Sequence, residues 1–150
     1  MIDPSPLLRQ ESVAWARLGE TFARVPDDRF EEPTLTPEGW SPKDAMYHVA
    51  GWMRDCAVQL DRIAAGSFDP AEETREAIER QNQQWFEVSR SMSPDDVRAD
   101  FHEARRRMVE AFGALDDVTP VAVEWFEESG ALHYVKHIDD LRDFLGERAG

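Results

Sequence analysis

Four histidines carry the clearest chemistry in the chain: His48, His102, His133 and His137. The last two form an H-x-x-x-H pair. A separation of four residues sets two imidazoles on one helix face about one turn apart, close enough to hold one metal ion. The stripe continues through Leu141 and Phe144, so the pair points toward an apolar interior. His48 is in register with Ala45, Trp52 and Cys56, again among apolar positions. An inward histidine on one helix and an inward pair on another can converge. Three neutral imidazoles make a tripod for zinc, nickel or a similar divalent ion, with a position left open for water or substrate. Each feature alone has a plainer explanation, as a surface pair or as a hydrogen-bonded core histidine. The coincidence of three inward positions is what favours metal. His102 follows Phe101 among charged residues and reads as a solvated side chain.

A metal-bound histidine usually donates its second ring N–H to a carboxylate or carbonyl. Asp44, four residues before His48, and Asp140, three after His137, are the candidates. Asp44 has a competing role at the third position of its helix, as a capping and dipole partner. Asp140 competes with surface solvation. Trp52, one turn beyond His48, is a candidate pocket wall, and Asn82 and Trp85 are candidate polar and aromatic lining. Plain core packing and an exposed face explain these three as well. Cys56 lies on an apolar stripe and reads as a structural thiol. No Ser-His-Asp order, glycine-rich phosphate loop or dinucleotide fingerprint is evident.

The elements that must position these residues are helices. Ser41-Pro42, Asp69-Pro70, Ser93-Pro94 and Thr119-Pro120 each pair a capping residue with proline, and Ser5-Pro6 has the same form. A capping oxygen accepts from orphan N–H groups, and proline at the first helical position has no N–H to satisfy. Asp44, Glu72-Glu73 and Asp95-Asp96 then suit the positive helix end. Helical spacing of apolar residues follows from Leu7 to Val25, from Ser41 to about Gly66, over 70–91, over 94–115 and over about 129–145. Val121-Ala122-Val123 is a short helix or an irregular segment. The long loop 26–40 holds Phe30, Leu35 and Trp40, which can pack it. A four- or five-helix bundle is expected.

Composition narrows the function classes. The 150 residues include 31 acids against 17 bases, a formal charge of −14, which disfavours nucleic acid as a partner. Arg105-Arg106-Arg107 lies between Glu103 and Glu110 and reads as a solvated helix face. With 41% hydrophobic residues, the chain can build a core despite its charge. A single cysteine rules out an internal disulfide framework. The N-terminus lacks the basic region and apolar core of a signal peptide, and no stretch approaches the roughly 18 apolar residues of a membrane span. A soluble, cytoplasmic single domain over residues 1–150 is the expectation.

Trp40-Ser41-Pro42-Lys43-Asp44-Ala45-Met46-Tyr47-His48-Val49-Ala50-Gly51-Trp52 resembles the W-(S/T)-x-K-D-x-x-x-H-x-x-x-W segment of the DinB/YfiT-like metalloenzyme superfamily. The stretch from Leu132 to Leu141 resembles its closing H-x-x-x-H-x-x-x-L helix, and Gln81 to Trp85 and the segment after Ser93-Pro94 resemble its middle helices more loosely. The resemblance spans about residues 8–145 and is nearest to the mycothiol-dependent maleylpyruvate isomerase N-terminal domain group. It implies an all-α, up-down-down-up four-helix bundle with a metal on His48, His133 and His137. That group places a glutamate where this chain has His133, so the resemblance carries the metal site rather than that one isomerisation. It further implies a homodimer and a thiol-dependent S-transferase or isomerase of small molecules, using a low-molecular-weight thiol. The alternatives are a non-catalytic, stress-related bundle that binds metal or a small ligand, and an interaction module with structural histidines.

Overall fold

A computed structural model describes residues 1–70 and 74–147. Among these residues the chain forms six α-helices, one short 3-10 turn (Asp27–Arg29) and no strand: α1 (Ser5–Ala23), α2 (Pro42–Ala65), α3 (Arg75–Arg90), α4 (Pro94–Gly113), α5 (Pro120–Ser129) and α6 (Ala131–Phe144). No helix among them is long and apolar enough to cross a membrane.

The capping chemistry explains most boundaries. Ser41 and Asp44 close a reciprocal capping box at the start of α2, with Pro42 at its first position. Gly66 ends the helix at φ +73°, a left-handed conformation that a residue lacking Cβ adopts freely. Ser93 and Thr119 cap α4 and α5 through Asp96 N–H and Ala122 N–H. Val121-Ala122-Val123 therefore lies inside a short helix.

Three boundaries differ from expectation. The third helix does not begin at Pro70: its cap is Thr74, whose hydroxyl accepts from Ala77 N–H at 3.1 Å. Thr74 is itself a good cap with Glu76 in the following turn. The expected first-turn acids Glu72 and Glu73 lie outside the described residues. At the N-terminus Pro4 takes the cap position. Ser5 lies inside α1, and its N–H donates to Asp3 Oδ1 at 3.0 Å. The final helix starts two residues later than expected, after a break at Gly130. A Cβ there would stand 2.6 Å from the Phe126 carbonyl oxygen, so the chain turns where only glycine fits.

The core runs through the long helices. Leu18 and Phe22 of α1, Met53 and Leu60 of α2, and Phe101, Met108 and Phe112 of α4 are buried in it. Trp15 stacks on Phe101 at 4.5 Å between ring centres, and Phe112 stacks on Phe126 of α5 at 4.0 Å. The α1–α2 connection is packed by its own side chains: Phe30 is 2% exposed, and its carbonyl accepts from Lys43 N–H. Arg105 departs from the solvated basic face read in the sequence. It turns inward to Glu11 on α1, whereas Arg106 stays exposed between Glu103 and Glu110.

The Trp85 ring of α3 packs directly onto Gly51 of α2. A Cβ at this position would meet the Trp85 ring at 2.5 Å. Gly51→Ala is expected to lower stability. Overpacking costs about 1–3 kcal/mol and outweighs the roughly 1 kcal/mol gained in helix propensity. Urea unfolding measures the balance, and a raised midpoint would contradict the close fit.

Candidate metal centre

The capping box fixes where α2 begins and hence which way His48 points. The break at Gly130 starts α6 so that His133 and His137 face the same point. His48 Nε2 lies 3.1 Å from His133 Nε2, and His137 Nε2 lies 3.0 Å from the same atom. His48 and His137 are buried and His133 is partly so.

Burial shapes the electrostatics. Loss of water lowers His48 to about 3, helped by the nearby His137 and Lys136 charges. His133 is pushed well below its ordinary value, first by burial and then by its charged neighbours. Both rings are neutral at pH 7 and keep a lone pair.

The donor set fits a cation. Divalent ions with bonds of about 2.0–2.1 Å space their nitrogens about 2.8–3.0 Å apart at right angles and about 3.3–3.4 Å apart at tetrahedral angles. The 3.0 and 3.1 Å separations fall between these limits. Imidazole–imidazole hydrogen bonds serve the arrangement less well. His133 Nε2 offers one lone pair or one N–H to two facing nitrogens, so only one contact can be well made. A cation on three lone pairs satisfies all of them. Each ring then carries its proton on Nδ1, and these three buried atoms have no hydrogen-bond partner. The three histidines are thus positioned to bind a metal ion.

The other sequence candidates separate into two groups. Asp140 Oδ2 stands 3.3 Å from His137 Nδ1, without the alignment of a formed hydrogen bond. Trp52 Nε1 donates to Asn82 Oδ1 at 2.8 Å, and its ring meets Trp85 edge-on at 5.0 Å, so these three form one block beside His48. Asp44 is engaged elsewhere: its carboxylate accepts from Ser41 N–H at 2.8 Å and from the hydroxyls of Ser41 and Ser89. Asp44→Asn is expected to cost about 1–3 kcal/mol of stability, by weakening buried bonds. Metal affinity should be little changed, and a loss of affinity without a loss of stability would give Asp44 a site role instead. Cys56 is a core thiol, pushed up to about 12 by burial and placed 3.5 Å from the Trp125 carbonyl. His102 is exposed beside Trp15, away from the tripod.

Two features were not assigned to the site from sequence. Trp40 of the long loop packs edge-on against His48 at 4.9 Å and stacks on Phe86. A cavity of about 460 Å³ opens beside His133, walled by Trp52, Phe68 and Trp125 with Glu124 and Glu128. The signal for the second was the four-residue spacing of those glutamates around Trp125 on α5, which becomes informative once α5 is a helix.

The family profile of the mycothiol maleylpyruvate isomerase N-terminal domain matches residues 12–133. No curated protein and no solved structure matches the chain.

Proposed function

Because the chain belongs to the mycothiol maleylpyruvate isomerase N-terminal domain family, within the DinB-like superfamily, we propose that it is a metal-dependent enzyme: a thiol-dependent S-transferase or isomerase of small molecules. The observation that carries this reading is the convergence of three imidazole nitrogens at one point. His48, His133 and His137 would hold zinc or nickel. When bound there, the ion supplies Lewis acidity that lowers the pKa of a thiol or water at its open position. The chain's own residues do the remainder. Asp140, 3.3 Å from His137 Nδ1, would take that ring N–H and orient the imidazole once the ion is held. Trp40 covers His48 and limits water at that ring. Trp52, held by Asn82, forms a fixed wall of the cavity that His133 also lines. The family's name couples a thiol to isomerisation, and the cavity beside His133 has the volume to take a small-molecule acceptor.

The proposal extends to helix order and assembly. We read α1, α2, α4 and α6 as an up-down-down-up bundle, with α3 and α5 as connectors. Glu11 meets Arg105 while Trp15 meets Phe101, which runs α1 against α4. Lys43 reaches the Met92 carbonyl and Arg54 pairs with Asp100, which runs α2 alongside α4. Glu11 meets Tyr134 and Arg24 meets Glu147, which runs α1 alongside α6. Exposed Val13 of α1 and Leu132 and Val135 of α6 offer apolar surface for a homodimer, which sedimentation would detect.

Protein purified without a histidine tag tests the enzymatic reading. Elemental analysis should find close to one divalent ion per chain. A panel of low-molecular-weight thiols with electrophilic acceptors should show turnover that a chelator abolishes. Protein that takes up no ion, or that takes one up and turns over none of the pairs, overturns it.

A further inference from the structure

The cavity beside His133 has a chemistry that the thiol and the metal do not account for. Its walls are the aromatic faces of Trp52, Phe68 and Trp125, and its polar residues include Glu124 and Glu128. Among the described residues no lysine or arginine lines it. The two carboxylates stand one turn apart on the same face of α5 and are exposed, whereas His133, which also lines the cavity, is partly buried. The lining thus brings together two exposed carboxylates, three aromatic side chains and one member of the histidine tripod.

We infer that the cavity is the acceptor subsite and that it selects a small organic cation with an apolar body, rejecting carboxylate-bearing molecules. This rests on the proposed metal-dependent activity for the role of the site, though not for the selection itself. Aromatic faces attract a cationic group through the ring quadrupole, and adjacent carboxylates add to that attraction. An anion entering the same cavity meets two like charges and finds no basic side chain among the described lining residues. The formal charge of −14 works in the same direction, raising the local concentration of cations and lowering that of anions. The cationic group lies between Glu124 and Glu128, the apolar body fills the space between Trp125, Phe68 and Trp52, and the far end reaches His133. Trp125 is held in place by its edge contact with Phe68 at 6.3 Å, and its carbonyl faces the Cys56 thiol.

Isothermal titration with benzyltrimethylammonium and with phenylacetate tests the selection. The first cannot ligate a metal, and the second shares its benzyl group and inverts the charge. The preference is read on metal-free protein, where no ion can attract the carboxylate. The cation is expected to bind about 10-fold more tightly than the anion or better. The double variant Glu124→Gln/Glu128→Gln should cut the difference several-fold, leaving what the aromatic faces and the overall charge supply, and Trp125→Ala should weaken the cation. Both glutamates are exposed, so the double variant should fold and take up zinc as the parent does. Equal or tighter binding of phenylacetate, no measurable binding of the cation, or a preference undiminished in the double variant would each overturn the inference. Failure of the metal reading shows separately, as absence of zinc uptake by the parent protein.

Discussion

Replacing His137 with alanine is expected to cut the affinity for zinc or nickel by roughly 100-fold or more, above the range usual for losing an outer-shell partner. The rise in melting temperature on adding metal should vanish with it. At saturating metal that rise reflects about 2.7 kcal/mol when the ion is at 100 times its dissociation constant. His137 is buried and stands 3.0 Å from His133 Nε2, so no exposed side chain replaces it. His137→Gln, closer in volume, controls for packing and should show the same loss. Acid should act in the same sense. His48 titrates at about 3 in the fold against 6.5 in the unfolded chain. Between those values the unfolded chain holds the extra proton, so stability is complete above pH 6.5 and declines as pH falls toward 3. In the fold the His48 lone pair stays free of a proton until pH nears 3, so above that pH acid acts on the site through unfolding rather than through proton competition for His48. Urea unfolding of metal-free protein at pH 7.5 and 5.5 reads the acid effect, and chelator competition at pH 7.5 reads the loss of affinity in the variants. Affinity unchanged in either histidine variant would remove the tripod from the metal reading.

Arg105→Met is expected to cost about 3–5 kcal/mol, the range for stranding a buried charge. Glu11 is 1% exposed and receives two Arg105 nitrogens, at 2.6 and 3.1 Å. Without them its carboxylate keeps the Tyr134 hydroxyl at 2.8 Å. One neutral donor does not balance a carboxylate that has lost its water. Tyr134 stays neutral, since burial and the adjacent Glu11 push its pKa well above the usual phenol range. The loss is a large share of the roughly 5–15 kcal/mol that typically holds a domain folded. Removing both charges, in Glu11→Leu/Arg105→Met, should recover most of it, because a matched apolar pair replaces a buried ion pair at little cost. A urea double-mutant cycle measures the coupling, and a loss below 1 kcal/mol for Arg105→Met would contradict it.

The histidines were legible because helical periodicity is a local property. The four-residue spacing of His133 and His137, and the apolar neighbours of His48, say which way each ring faces before any tertiary contact is known. Helix starts at Ser41, Ser93 and Thr119 were legible for the same reason. Thr74 was not, because Asp69-Pro70 offers an equally good local signal a few residues earlier. Glu11 and Arg105 were hidden differently. Each looks like ordinary surface charge, and only the packing of α1 on α4 buries one against the other. The cavity was invisible because its walls come from α2, the loop after it, α3, α5 and α6, and no single segment displays it.

His48 and His133 are 85 residues apart in the chain. A metal on the tripod is therefore a clasp across most of the sequence, closed only after α2 and α6 have docked. Before then α6 can present its own histidine pair, which lacks the third ligand and grips an ion loosely. Contacts of such separation form late, once the entropy of closing the intervening loop has been met. Full metal occupancy is thus a certificate of completed assembly: a chain with α6 undocked cannot hold the ion tightly, so loading distinguishes finished molecules from unfinished ones.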